Sequence, residues 1–317
     1  MLFRSSDSHI LHALVNAAKN GKRVVAVVEV QARFDEEHNI EITRMLQDAG
    51  VEVIPGVPGL KVHCKIFQIS RKINGSTQRI THIGTGNFHE KTANIYSDVT
   101  LLTAHLEIGR EVRKLFEFFE ANFHRPIFKH LLVSPFNTRR KLIENIQREM
   151  NFAKKGKYAS IIIKVNNLTD EVVIKKLQDA AEAGVQVTCI IRGVCLLQPS
   201  TKKQRKNIQL RSIIGRYLEH ARVFVFNNRG DELILFGSAD LMTRNLDFRV
   251  EVIAPLYNHS LKAEIIEWLE LQLAETTKAR SLHSGEINSY ICPIDSEHLV
   301  DSQIEWKKYL EKKSVKN

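Results

Sequence analysis

A short motif that occurs twice constrains this 317-residue chain more than any other feature. His63-Cys64-Lys65 opens an alternating run through Ile69 and is followed by Gly84-Thr85-Gly86-Asn87. His220-Ala221-Arg222 opens Val223-Phe224-Val225-Phe226 and is followed by Gly237-Ser238-Ala239-Asp240. Gly84 lies 21 residues after His63, and Gly237 lies 17 after His220. The match extends upstream, where Ala17-Ala18-Lys19-Asn20-Gly21-Lys22-Arg23-Val24 parallels Ala180-Ala181-Glu182-Ala183-Gly184-Val185-Gln186-Val187. Self-similarity on this scale marks an internal duplication, so the chain should fold as two related units.

Strand periodicity sets the local expectation. From Lys61 to Ser70 the alternation reads as one strand, with His63, Lys65, Phe67 and Ile69 on one face. Asn74-Gly75, between this run and the next, is the dipeptide that a tight hairpin turn requires. Strands at 24–30, 51–54, 161–163, 185–191 and 249–254 alternate with helices at 40–48, 108–122, 138–154, 170–183 and 259–273, which argues for an α/β layer structure. The polar run 198–209 reads as a mobile loop. Beyond Leu282 the pattern thins to a loop and a charged helix near 304–313.

Composition narrows the partners. Lys and Arg exceed Asp and Glu by 46 to 36, a formal charge of +10, which favours a polyanionic ligand. Lys65, Lys91, Arg222, Arg244 and Arg249 are candidates to line a path for it. Cys64, Cys189, Cys195 and Cys292 form no Cys-x-x-Cys pair, so neither a zinc site nor a disulfide framework is indicated and a reducing cytoplasm fits. No run approaches the ~20 apolar residues that span a bilayer, and no signal peptide is apparent.

Paired His-x-basic motifs, each followed by Gly-Ser/Thr-x-Asn/Asp, resemble the phospholipase D superfamily, whose two halves bring two histidines and two basic residues to one phosphate pocket. A narrower likeness rests on Glu29-Val30-Gln31-Ala32-Arg33-Phe34-Asp35-Glu36, His82-Ile83-Gly84-Thr85-Gly86-Asn87-Phe88, Ile191-Arg192-Gly193, Arg216-Tyr217-Leu218-Glu219-His220 and Ser238 to Asp247. Together these resemble the two C-terminal catalytic domains of bacterial polyphosphate kinase, from about Leu2 to about Arg280. The implied fold is α/β, two tandem phospholipase D-like domains, each a mixed sheet flanked by helices and related by a pseudo-twofold. The boundary is placed between residues 130 and 131, giving domains 1–130 and 131–317. The family's N-terminal nucleotide-gripping domain and helical dimerisation domain are absent from this sequence, and a homo-oligomer is compatible with the family.

The resemblance implies the reaction ATP + polyphosphate(n) ⇌ ADP + polyphosphate(n+1) through a phosphohistidine, with Mg²⁺ as cofactor and ATP/ADP and inorganic polyphosphate as partners. No nucleic acid is expected. An imidazole can act as nucleophile and divide one transfer into two, and His63 is the candidate. His220 would contact the nucleotide phosphates and could act as general acid. Asp98, matched to a family aspartate, would hold one imidazole in its useful tautomer. Tyr96 and Arg192 would bind ATP, with Lys65 and Arg222 gripping phosphate. Arg4 and Arg33 match arginines associated with magnesium; a cation cannot ligate Mg²⁺, so they would grip the phosphates that carry it.

Two alternatives come from other classes. One is a phospholipase D-like phosphodiesterase or nuclease with water as acceptor, disfavoured because Ser70 stands where that superfamily's His-x-Lys-x4-Asp has Asp. The other is an inert fragment that binds polyphosphate or nucleotide without turnover.

Overall fold

The alternation of apolar strands and amphipathic helices folds into the expected α/β class, with mixed sheets flanked by helices. The computed structural model describes residues 8–29, 36–283, 288–291 and 299–314. Two compact units form. The first gathers the described residues up to Thr138 together with Gly237–Ala239 and Arg244–Ala254, and the second takes Arg139–Phe236, Asp240–Thr243 and the described residues from Pro255 onward. Sequence reading places a single boundary at 130/131. The compact units interleave along the chain.

In the first unit, strands Val25–Val27 and Glu52–Ile54 pair in parallel, with helix Glu36–Asp48 between them in the chain. Leu11 and Ile42, Leu46 and Val51 bury against Val24, Ala26 and Val28, which closes this layer. Strands Lys65–Ile73, Ser76–Gly84 and Thr100–Thr103 form an antiparallel sheet. Its first hairpin turns at Asn74-Gly75, whose φ values of 48° and 78° are the left-handed pair of a two-residue turn. A third cluster joins strand Arg249–Pro255 to Lys61–Val62 in parallel and to Leu132–Ser134 antiparallel.

The second unit is built on the sheet order Ala279–Ser281, Ile208–Ile213, Gln186–Ile191, Ser160–Val165, Arg222–Phe226, Leu233–Gly237. Ser160–Val165, Gln186–Ile191 and Ile208–Ile213 run parallel; Arg222–Phe226 and Ala279–Ser281 run against their neighbours. All five residues of Arg222–Phe226 are buried, as befits a strand covered on both faces. Asp170 caps helix Glu171–Ala183 by accepting from Val173 N at 3.1 Å, and Gly184 at φ 106° ends it. Helix His259–Leu273 follows the expected bounds, while the terminal helix spans Ser302–Ser314.

The stretch 198–209 is not a loop. Thr201 accepts from Gln204 N at 3.0 Å and starts a short helix, Lys202–Asn207, and the chain then enters strand Ile208–Ile213. Its run of cations concealed a capped turn. Among the described residues, no helix is long and apolar enough to cross a membrane, and Cys64, Cys189 and Cys195 are free thiols. Cys292 lies outside the described residues.

Gly237, which opens the second motif, has no space for a side chain. A Cβ there would sit 2.1 Å from Val252 O and 2.6 Å from Ile253 Cα, both backbone atoms that cannot swing away. Gly237→Ala should therefore destabilise the chain by about 2 kcal/mol or more, read as a lower midpoint in urea unfolding. An unchanged midpoint would contradict this packing.

Candidate active site

His63 sits where two strand pairings compete. Lys61–Val62 runs parallel to Arg249-Val250, but His63 N and Cys64 N then both donate to the one carbonyl of Val250, at 3.0 and 2.9 Å. Two donors on one acceptor break the ladder. The expected single strand over 61–70 is therefore two strands with His63-Cys64 at the break, and Lys65 begins the second. Lys65 is buried, and its ammonium folds back to donate to the carbonyl of His63.

The ring of His63 is set by Glu251. Nδ1 lies 2.8 Å from Oε1 and 2.9 Å from Oε2 of that carboxylate, whose side chain is fully buried while the imidazole is 17% exposed. A buried carboxylate is stable only when its lone pairs are met. Glu251 also accepts from Ser238 Oγ at 2.5 Å and from Asn245 Nδ2 at 2.8 Å. Burial would raise its carboxyl, but the His63 N–H, the Lys65 charge and the Ser238 hydroxyl hold it below the usual carboxylate range. Burial pushes His63 down to about 4; the Lys65 charge assists, while Glu251 opposes the shift. At neutral pH the ring is then a neutral imidazole with Nδ1–H on Glu251, so Nε2 keeps its lone pair. Burial pushes the neighbouring Cys64 thiol up to about 12, so at neutral pH it is a protonated thiol.

The Ser238–Glu251 arrangement recurs at the first motif. Thr85 Oγ1 donates to Asp98 Oδ1 at 2.5 Å and accepts from Val99 N at 3.0 Å; Ser238 Oγ donates to Glu251 Oε2 and accepts from Val252 N at 3.2 Å. Each hydroxyl precedes its carboxylate by 13 residues, and Thr85 N and Ser238 N each donate to the residue after that carboxylate, at 3.0 Å. Asp98 and Glu251 are thus the same position in the two copies. Gly86 makes room for this, because a Cβ there would lie 2.2 Å from Asp98 Oδ2.

In the second unit His220 precedes strand Arg222–Phe226. Arg222 Nη1 lies 3.1 Å from His220 Nε2 and donates to the His220 carbonyl at 2.8 Å, and Asn166 Nδ2 reaches the same carbonyl at 3.4 Å. Asp240, the last residue of the second motif, accepts from Asn166 N at 2.8 Å and Asn167 N at 3.2 Å and pairs with Arg222 Nη2 at 3.3 Å. Burial raises the Asp240 carboxyl, but the Arg222 guanidinium and these amides outweigh it and hold the group below the usual range. Arg192 follows strand Gln186–Ile191 at its carboxyl end, and its Nε donates to Asn166 Oδ1 at 2.6 Å and to the Glu219 carbonyl at 2.8 Å.

Three of the candidates read from the sequence, His220, Arg222 and Arg192, lie in one cluster of the second unit, and Asp240, noted there only as the end of the second motif, joins them. In the first unit sequence reading found His63 and Lys65 but missed Glu251. The available signal was an acidic residue inside the apolar strand Arg249-Val250-Glu251-Val252-Ile253, at the same offset from Ser238 as Asp98 from Thr85. Asp98 lies beside Thr85, and Tyr96 opens the half-buried strand Tyr96–Ser97. Arg4 and Arg33 lie outside the described residues. His82, quoted in the first motif, stacks on Phe67 with centroids 4.6 Å apart and against Phe88 at 4.9 Å. Among the described residues no group of three or more His, Cys, Asp or Glu could hold a metal ion.

Comparison with known proteins gives the family. The model for polyphosphate kinase C-terminal domain 1 matches residues 1–125, and that for C-terminal domain 2 matches residues 131–303. The chain belongs to the polyphosphate kinase family. The polyphosphate kinase of Vibrio cholerae is 49% identical over 90% of the chain, and that of Escherichia coli K12 is 46% identical over 90%. The chain spans 41% and 42% of the length of those two relatives. A crystal structure of polyphosphate kinase from Porphyromonas gingivalis superposes on the whole chain with a TM-score of 0.92 at 36% identity, over 48% of that protein.

Protonation of His63 opposes folding. An ordinary imidazole, at 6.5, takes its proton before this one, at about 4, so the unfolded chain binds the proton first as pH falls. The neutral ring's contribution to stability should be present above pH 6.5 and lost progressively between there and pH 4. An NMR titration of the His63 ring should show no midpoint between pH 5.5 and 7.5. A midpoint near 6.5 would refute the assignment.

Proposed function

We propose that the chain carries the phosphoryl-transfer chemistry of a polyphosphate kinase, with His63 as the group that takes the phosphate. The observation that supports this most directly is the buried Glu251 clamp on Nδ1, which leaves Nε2 as the lone-pair nitrogen of a neutral ring. Nε2 attacks the terminal phosphorus of ATP, forming an N–P bond as the P–O bond to ADP breaks. An end oxygen of polyphosphate then attacks that phosphorus, the N–P bond breaks, and the polymer is one unit longer. Transfer of this kind asks the protein mainly for positioning and for countercharge.

Lys65 supplies countercharge next to the nucleophile. We assign Arg192, Arg222 and His220 to the nucleotide phosphates, since a planar guanidinium fork matches phosphate oxygens and is charged at every working pH. Tyr96 and Asp98 keep the nucleotide-binding and tautomer-holding roles that the family likeness implies. Magnesium would ride on the phosphates rather than on protein carboxylates, gripped through Arg4 and Arg33, and supply neutralisation of phosphate charge. Family membership supports ATP and inorganic polyphosphate as the substrates.

Incubation of the chain with γ-labelled ATP and Mg²⁺ should give label that is lost in acid and retained in base, and His63→Ala should abolish it. Label retained in His63→Ala would remove His63 as the nucleophile, and release of labelled phosphate or pyrophosphate with no label on the protein would favour a hydrolase. Glu251→Gln offers a second check. A carboxamide nitrogen cannot accept the Nδ1 proton, so the tautomer is no longer fixed, and labelling should slow about 100-fold while ATP binding is kept. Equal rates in Glu251→Gln and the parent would show that the clamp has no part in the chemistry.

A further inference from the structure

The residue before His220 is anchored in an unusual way. Glu219 and Lys164 are both buried, side chains 3% and 2% exposed, and pair at 2.9 Å. The Glu219 carboxylate accepts two further bonds, from Gln272 Nε2 at 2.8 Å and Gln303 Nε2 at 2.7 Å. Its backbone carbonyl takes the Arg192 Nε bond at 2.8 Å. Glu219 therefore fixes both Arg192 and the start of the His220 segment, and a buried carboxylate with this many partners has a single favourable placement.

Gln303 is the outermost of these partners, on the terminal helix Ser302–Ser314. Its Oε1 accepts from Tyr217 N at 3.0 Å, and its Nε2 donates to Tyr217 O at 2.8 Å as well as to Glu219. One carboxamide thus pairs with both backbone groups of Tyr217 as a neighbouring strand would. Gly215 permits the approach, for a Cβ there would meet Gln303 Oε1 at 2.5 Å. The helix start is fixed in turn: Ser302 N and Oγ both donate to Glu275 Oε2 at 2.7 Å, Lys278 pairs with Asp301, and Trp306 packs against Trp268 at 6.3 Å. Lys164 Nζ lies 5.3 Å over the same Trp268 ring.

We propose that Gln303 is a positioning residue for His220 and Arg192, and that the terminal helix is part of the nucleotide site through it. Gln303 touches no reacting atom; it acts through Tyr217 and Glu219. The idea rests on the assignment of His220 and Arg192 to the nucleotide phosphates.

Two readouts on the full chain separate the outcomes. In Gln303→Ala the KM for ATP should rise about ten-fold with a smaller change in kcat, and the NMR signals of the His220 ring should shift. Gln303→Met keeps the volume without the hydrogen bonds and replaces it if the alanine variant does not fold. A purely structural role for the helix would lower the unfolding midpoint and leave the KM and the His220 signals of the folded protein unchanged, which would overturn the proposal. If the parent chain turns over no ATP, the function assigned above fails, and the His220 signals alone decide on Gln303: a shift supports the anchor and no shift rejects it.

Discussion

A charge removed from water governs the first unit. Glu251 is fully buried, and a carboxylate in that position is tolerable only with its oxygens occupied by donors. Three side chains supply them: His63, Ser238 and Asn245. Two of these lie within 13 residues of Glu251 along the chain, while His63 comes from 188 residues away. Gly237–Ala239 and Arg244–Ala254, which carry Ser238, Asn245 and Glu251, accordingly group with the first unit and His63. Gly237 has no side chain for the same reason, since strand Arg249–Pro255 passes against its Cα. The pairing of strand Arg249–Pro255 with Lys61–Val62 and with Leu132–Ser134 draws the same segment there.

The duplication is visible in bonding as well as in sequence. Thr85 and Ser238 each place a hydroxyl between a carboxylate and the amide that follows it. Copy and compact unit nevertheless do not coincide, because the hydroxyl of the second copy's motif supports the carboxylate that clamps the first copy's histidine. A mutation in either motif therefore need not act on the half of the chain in which it is written.

What could be read from residues alone was mostly local. Asn74-Gly75 fixed its hairpin because only a left-handed pair of residues makes that turn. Helix His259–Leu273 was legible from the apolar spacing of Ile265, Ile266, Leu269 and Leu273; its cap, Asn258, which accepts from Ser260 N at 2.9 Å, is seen only in the fold. The break at His63-Cys64 was not, since it depends on the carbonyl of Val250, distant in sequence. The helix Lys202–Asn207 hid inside a run of cations that resembles a solvated loop. Of the candidate site residues, His63, His220, Arg192 and Arg222 came from motif and resemblance, but the groups that hold them did not. Glu251, Glu219 and Lys164 are charged residues within or beside apolar strands, where periodicity counts them as exceptions. An ionised residue in such a run has to be partnered, and asking what partners it would have led to the site from the sequence.

Burial and the carboxylate act on His63 in opposite directions, and the balance suits a nucleophile better than either would alone. Burial disfavours the imidazolium, so the ring keeps its lone pair available over the physiological range. In the proposed transfer, positive charge would develop on the ring as Nε2 bonds to phosphorus, and the Glu251 carboxylate 2.8 Å from Nδ1 is already oriented to meet it. In the resting state that carboxylate holds only a neutral N–H, and the attraction is modest. It grows as charge appears, in a setting where water cannot screen it. An interaction that strengthens between ground state and transition state is the kind that accelerates chemistry rather than merely improving binding. A surface histidine paired with the same carboxylate would instead be drawn toward the protonated form at neutral pH, with no lone pair left to attack.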